Sequence, residues 1–138
     1  MKFFEDFQCL SGHRDYEDCS LSLEHPNVLQ NPVCGDRVLI RVRVRNDSLE
    51  DFRYRADGCW PLYGCLELLG RIIPGRPVSE VVKYSLSEFL TEVDGVPAGK
   101  RHAFSLALRG LVSAVCREIT EHEDSSLSTI GGGPKERV

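Results

Sequence analysis

The chain has 138 residues, of which 41% are hydrophobic and 28% are charged, and its formal net charge is −4. This length suits one domain, and this composition is typical of a globular protein. The negative net charge argues against a nucleic-acid binder, which needs a dominant basic surface. No apolar stretch is long enough to cross a bilayer.

The start of the chain does not resemble a secretory signal, because Glu5 and Asp6 interrupt its short apolar run. We therefore expect a cytoplasmic protein in a reducing environment. Its six cysteines are then expected to be free thiols, metal ligands or redox groups rather than disulfides.

The predicted elements begin with an N-terminal segment, residues 1–18, whose structure the pattern leaves open. Phe3, Phe4 and Phe7 would share one face of a short helix, and a polar stretch follows them. Over residues 20–24 leucines alternate with polar residues, which predicts a short strand.

The clearest element is a β-hairpin over residues 37–56. Apolar and charged residues alternate along both of its halves, with the two-residue period of strands buried on one face. Between them, Asn46-Asp47-Ser48 is a turn signal. A turn centred on Asp47 places all the apolar residues on one face, as burial requires, and leaves an arginine-rich face for solvent. The resulting pairs are Val42 with Phe52, Ile40 with Tyr54, and Val38 with Ala56.

Helical spacing follows the hairpin. Pro61 suits the first position of a helix, apolar residues recur every three or four positions from Leu62 to Ile72, and Pro74-Gly75 ends the helix. A short helix or a turn is predicted over residues 78–83, and a further helix from Ser85 or Ser87 to about Val93.

A long helix is predicted over residues 100–120, with an apolar stripe that runs from Phe104 to Ile119. Residues 122–138 have no period and are predicted to form a flexible tail. Residues 19–121 are then one α+β domain, a small antiparallel sheet of about three strands with helices packed on one face.

The hairpin predicts a functional site at its open end. In the same register Asp36 lies opposite Gly58, so Cys34 and Asp36 are expected beside Cys59. Two thiols and a carboxylate fit a metal- or sulfur-handling site. The partial positive charge at a helix N-terminus is expected to favour the thiolate of Cys59. The alternative is that both cysteines are small buried hydrophobic residues.

A fourth candidate ligand is His102, at the predicted start of the long helix. Two thiolates, a carboxylate and an imidazole make a tetrahedral zinc set. Spacing alone does not bring His102 near Cys59, and an exposed histidine is the alternative. Among the other cysteines, Cys65 and Cys116 are predicted to lie in the core, and Cys19 is an outside candidate for the site.

Three segments resemble one family. Residues 31–36, Asn-Pro-Val-Cys-Gly-Asp, are similar to the N-P-x-C-G-D signature of the U-type iron–sulfur cluster scaffold family (IscU, SufU and the N-terminal domain of NifU). Gly58-Cys59 is similar to the family's second cysteine at the start of a helix. Residues 96–103 resemble its L-P-P-V-K-x-H-C segment, and order and spacing agree over residues 31–120.

The resemblance implies a scaffold rather than an enzyme. Such a protein assembles a 2Fe–2S cluster or binds zinc, receives sulfur from a cysteine desulfurase and passes the cluster to apo-proteins. The resemblance assigns Cys34 and Cys59 as the first two cysteine ligands, Asp36 as the aspartate that makes the cluster labile, and His102 as a histidine ligand.

The family's third cysteine falls on Ala103, which can neither bind metal nor carry a persulfide. Two alternatives to a scaffold therefore stay open. One is an interaction module of sulfur or iron–sulfur assembly that binds no cluster. The other is a sulfurtransferase with Cys34 or Cys59 as the nucleophile.

Overall fold

A computed structural model describes residues 12–83 and 101–131 of the chain. The described elements are β1 (Leu29–Gln30), β2 (Arg37–Arg45), β3 (Ser48–Asp57), α1 (Trp60–Ile72), α2 (Val78–Val81) and α3 (Arg101–Gly131). The three strands form one antiparallel sheet in the order β1-β2-β3. Two of the helices, α1 and α3, pack on one face of the sheet and enclose the core, so the predicted α+β fold is confirmed.

The hairpin of β2 and β3 has the predicted register. Its turn consists of Asn46 and Asp47, both with positive φ (53° and 62°), a conformation that Asn and Asp tolerate better than most residues. A bulge after Arg43 shifts the pairing by one residue near the turn. The pairs that fill the core are Val38 with Ala56, Ile40 with Tyr54, and Val42 with Phe52.

The third strand is not where the sequence pattern placed it. Residues 20–24 form turns and bends rather than a strand, and β1 lies later in the chain, beside the start of β2. The Arg55 guanidinium donates hydrogen bonds to the carbonyl oxygens of Cys19 and Leu21, at 2.8 and 3.1 Å. These bonds hold the segment against the arginine-rich face of the sheet instead of at its edge.

The arginine-rich face is therefore only partly solvated, contrary to expectation. Arg41 forms an ion pair with Asp18 at 3.1 Å, and Arg53 donates to the carbonyl oxygen of Asp15 at 3.2 Å. Leu39 lies on the same face and is only 5% exposed. Several arginines of this face thus bind the N-terminal segment.

Residues 16–18 run along the free edge of β3. The Tyr54 N–H donates to the carbonyl oxygen of Tyr16 at 3.1 Å, and the Asp18 N–H donates to the carbonyl oxygen of Tyr54 at 2.7 Å. The described part of the predicted N-terminal segment is thus docked on the sheet. The helix predicted around Phe4 lies outside the described residues.

Glu67 of α1 fastens the same segment from the core side. Its side chain is fully buried and accepts hydrogen bonds from the backbone N–H groups of Asp15 and Tyr16, at 3.1 and 3.2 Å. The Tyr54 hydroxyl donates to it at 2.8 Å. A buried carboxylate needs such donors, and nothing in the apolar spacing of α1 indicated that this residue faces inward.

The helix predicted to begin at Pro61 and to end before Pro74 is confirmed as α1, and the short helix or turn predicted over residues 78–83 begins with the helix α2. The helix predicted to end near Val93 lies outside the described residues. None of the helices within the described ranges is long and apolar enough to span a membrane.

The long helix α3 starts where expected but ends later. Phe104, Leu111 and Val115 of its predicted stripe are fully buried, and Ile119 packs against the core. Beyond this stripe the helical backbone continues to Gly131. Residues 122–131 of the predicted tail therefore belong to α3.

Candidate metal centre

Cys34 lies in a tight loop before β2. The side-chain oxygen of Asn31 accepts hydrogen bonds from the N–H groups of Val33 and Cys34, at 2.8 and 3.4 Å. Its carbonyl oxygen accepts from Gly35 at 2.8 Å, and its N–H donates to the carbonyl oxygen of Asp36 at 2.9 Å. Gly35 has a φ of 82°, which glycine adopts without strain. The loop leaves the Cys34 side chain exposed.

Asn31 holds the loop that carries Cys34, a role that the sequence pattern did not predict. An Asn-Pro dipeptide is a turn signal, and here it begins the loop that carries Cys34. Its side chain takes the place of a backbone partner for two loop N–H groups.

Cys59 lies across the end of the hairpin from Asp36, as the register predicts. Its thiol donates a hydrogen bond to Asp36, with an Sγ–Oδ2 distance of 2.9 Å, and Asp36 is only 6% exposed. Gly58 allows this approach, because a Cβ at that position would lie 2.7 Å from Cγ of Asp36. A side chain at position 58 would thus compete with Asp36 for space.

The thiol of Cys59 is held protonated, contrary to expectation. Burial raises its pKa to about 11, and the hydrogen bond to Asp36 contributes to the increase. The hydrogen bond that it accepts from the Leu62 backbone N–H in the first turn of α1 acts in the opposite direction but is the smaller effect. The prediction that the helix N-terminus would favour the thiolate is therefore wrong, because burial outweighs it.

His102 lies in the first turn of α3 and reaches the same end of the sheet. The ligand atoms of Cys34, Asp36 and His102 all lie within 4.8 Å of one another. Asp36 is thus the shared neighbour, close to Cys34 and His102 and hydrogen-bonded to Cys59. Cys59 is not a member of that group of three and is joined to it through Asp36. The place of His102 in the group depends on how α3 packs across β2.

The remaining cysteines of the described ranges lie elsewhere. Cys65 is fully buried in the core, as predicted, and its burial raises the pKa of its thiol. Cys116 was expected in the core but is exposed, because it lies on the solvent side of α3. Cys19 is exposed and outside the ligand group. Ala103 is fully buried beside His102 and offers no ligand atom.

Comparison with known sequences points to one family. The family model for the NifU-like N-terminal domain matches residues 17–121. The iron–sulfur cluster assembly scaffold protein IscU of Aquifex aeolicus is 30% identical over 87 residues, which cover 62% of this chain and 55% of that protein. IscU 1 of Archaeoglobus fulgidus is 25% identical over 114 residues, which cover 83% of this chain and 72% of that protein. The chain thus spans about half the length of the first relative and more of the second.

Solved structures share the fold. A protein of Fervidobacterium islandicum AW-1, assigned as an iron–sulfur cluster assembly scaffold for the SUF system, superposes with a TM-score of 0.60 at 15% identity, over 82% of this chain and 96% of that one. The crystal structure of a hypothetical protein superposes with a TM-score of 0.57 at 19% identity, over 79% of this chain and 93% of that one. The resemblance found in the sequence motifs is confirmed, and because the family match spans most of its length, this chain belongs to the NifU-like N-terminal domain family.

Proposed function

We propose that this chain is an iron–sulfur cluster assembly scaffold that holds a labile 2Fe–2S cluster or a zinc ion through Cys34, Asp36, Cys59 and His102. One observation carries the proposal. Three of these residues place ligand atoms within 4.8 Å of one another, and the fourth lies 2.9 Å from the shared carboxylate. The named function of the IscU relatives supports it.

The donor set fits both kinds of cargo. Zinc binds four sulfur, nitrogen or oxygen ligands in a tetrahedron, and iron–sulfur clusters are held by thiolates, with histidine in some proteins. Because Ala103 supplies no third thiolate, Asp36 and His102 would complete the set. A carboxylate is a weaker partner for such soft sites than a thiolate, which suits a cargo that is passed on.

Metal binding at this site releases a proton. Cys59 must lose the proton that it shares with Asp36, since only the thiolate ligates. Asp36 then exchanges a hydrogen bond for a place in the ligand set. Zinc affinity is therefore expected to fall as the pH is lowered.

In this proposal a cysteine desulfurase supplies the sulfur, apo-proteins receive the cluster, and the chain itself catalyses no reaction in the cytoplasm. The accessible side of the site supports exchange with partners. Cys34 is exposed, and its neighbour Val33 is 93% exposed. A large apolar side chain so exposed beside the ligands offers a contact for a protein that approaches them.

Metal and sulfide analysis of anaerobically purified protein tests the proposal. We expect stoichiometric zinc, or iron with acid-labile sulfide, in the wild type and a loss of it in Cys59→Ala. Cys116→Ala is the matched control, because it removes an exposed thiol outside the ligand group. Absence of metal from the wild type, or full retention by Cys59→Ala, would contradict the proposal.

The buried Ala103 favours a second candidate, an interaction module that binds no cluster. In that case the wild type would carry no metal but would still bind a desulfurase in a pull-down. The sulfurtransferase alternative requires more, namely a persulfide on Cys34 or Cys59 that turns over onto a small acceptor.

A further inference from the structure

The outer edge of β2 is largely without a neighbouring strand. β1 pairs only with Arg37 and Val38, so among the described residues no strand lies beside positions 39–45 on that side. Tyr54 directs its backbone N–H and C=O to residues 16–18, so its pair with Ile40 is not hydrogen-bonded within the hairpin. By the alternation of antiparallel ladders, the backbone groups of positions 40, 42 and 44 point to the outer edge of β2.

Side chains of α3 form hydrogen bonds with two of these backbone groups. The Arg117 guanidinium donates to the carbonyl oxygen of Ile40 at 3.0 Å, and the Glu118 carboxylate accepts from the Val44 N–H at 3.3 Å. A neighbouring strand would supply the same donor and acceptor from its backbone. Between them, the N–H and C=O of Val42 find no hydrogen-bond partner within the described part of the chain.

This edge forms one wall of a groove of about 390 Å³. Leu21, His25 and Asn27 line one side of the groove, and Ala114 and Glu121 of α3 line the other. An extended segment beside β2 would therefore lie in a channel, with one row of its side chains towards α3 and the other towards the arginine-rich face.

The charges at this edge select the kind of strand. Arg41 and Arg43 are both exposed on the arginine-rich face. Arg41 has its ion pair with Asp18. Arg43 has none among the described residues, because Asp51, which lies opposite it on β3, is paired with Arg53 at 3.3 Å. If two copies of β2 paired antiparallel about Val42, Arg41 of each copy would face Arg43 of the other, and like charges in that position are destabilising. An acidic side chain opposite Arg43 would be favourable.

We propose that the outer edge of β2 is a docking site for an extended, acidic segment of a partner protein, which adds as a strand beside residues 40–44. Its acidic side chains lie on the face of Arg43. Its alternate side chains are uncharged, because the α3 side of the groove carries charges of both signs, Arg117 with Glu118 and Glu121. Arg117 and Glu118 release the backbone groups of β2 as the strand binds. The docking site is independent of the metal centre.

Fluorescence anisotropy with the full chain tests this with a labelled short peptide of alternating Glu and Val. A matched peptide of alternating Lys and Val is expected to bind at least about fivefold more weakly. Arg43→Gln should weaken binding of the Glu–Val peptide about fivefold. Arg45→Gln should not, because Arg45 is exposed on the same face but already paired with Glu50 at 3.1 Å.

Arg117→Met gives a readout that a merely structural role would not produce. Loss of its hydrogen bond to Ile40 removes an internal competitor, so the Glu–Val peptide should bind about fivefold more tightly. Absence of binding, equal binding of the two peptides, or indifference to Arg43→Gln would overturn the proposal. A wild-type dimer in sedimentation that the peptide dissociates would assign the edge to a second copy and overturn it too.

Discussion

The thiol of Cys59 donates a hydrogen bond to Asp36 across the open end of the hairpin, with an Sγ–Oδ2 distance of 2.9 Å. Both residues are candidate ligands, so binding of a metal to both, as proposed above, would have to displace this proton. Strand pairing brings them together, and burial keeps the proton in place.

Asp36→Asn should lower the pKa of the Cys59 thiol from about 11, since the hydrogen bond to a carboxylate is one of its causes. The pKa should not return to its ordinary value, because burial is the larger cause. The measurement is the pH dependence of iodoacetamide labelling at Cys59 in metal-free protein, resolved by peptide mass spectrometry. Labelling of Cys116 in the same sample is the internal control, and an unchanged midpoint for Cys59 would contradict the prediction.

Gly58→Ala should weaken metal binding without removing a ligand. The added Cβ would lie 2.7 Å from Cγ and 2.9 Å from Oδ1 of Asp36, so the carboxylate must leave the position in which it accepts the hydrogen bond of Cys59. A misplaced ligand typically costs about tenfold or more in metal affinity, measurable by competition with a zinc chelator. Circular dichroism should show an intact fold, and wild-type zinc affinity in the variant would refute the argument.

Tyr54→Phe should reduce the loss of stability at alkaline pH. Burial and the hydrogen bond to Glu67 raise the pKa of Tyr54, so above about pH 10 the unfolded chain loses the phenol proton while the native protein keeps it. The native state then binds more protons than the unfolded state, and the free energy of unfolding falls as the pH rises.

The variant should lose about 1–3 kcal/mol at pH 7, because the Glu67 carboxylate loses a donor. Its urea-unfolding free energy should then decline less steeply than that of the wild type between about pH 9 and pH 11. Some decline should persist, since the pKa of Cys59 is also raised. Equal slopes for the two proteins would be the contrary result.

The effect of Gly70→Ala on the free energy of unfolding should change sign with the residue at position 16. A Cβ on Gly70 would overlap the ring of Tyr16, so the substitution should destabilise the wild type by about 1–3 kcal/mol. In a Tyr16→Ala background the ring that meets this Cβ is removed, and alanine should stabilise α1 by up to about 1 kcal/mol. The measurement is a double-mutant cycle by urea unfolding of the wild type, the two single variants and the double variant. An effect of Gly70→Ala of the same sign in both backgrounds would argue against this contact.

Two features could not be predicted from local pattern. Alternation of Leu21 and Leu23 with polar residues indicated a strand, but hydrogen bonds from Arg55 hold that segment on the face of the sheet. β1 is too short to show any period. From the sequence alone, Glu67 would be placed on the solvent side of its helix. It is buried because the N-terminal segment and Tyr54, which are distant along the chain, supply its hydrogen-bond donors.

The sequence by itself determined the hairpin register and, with it, the closeness of Asp36 to Cys59. Side chains alternate between the two faces of a strand, so a one-residue slip of one strand would have buried its arginines. Only one register of two strands joined by a short turn therefore places all the apolar residues on the same face. Only the tertiary structure decided that His102 reaches this site and that Cys59 keeps its proton. Both depend on packing between elements distant along the chain, and in the second case burial and the helix N-terminus act in opposite directions, so only the degree of burial settles which one prevails.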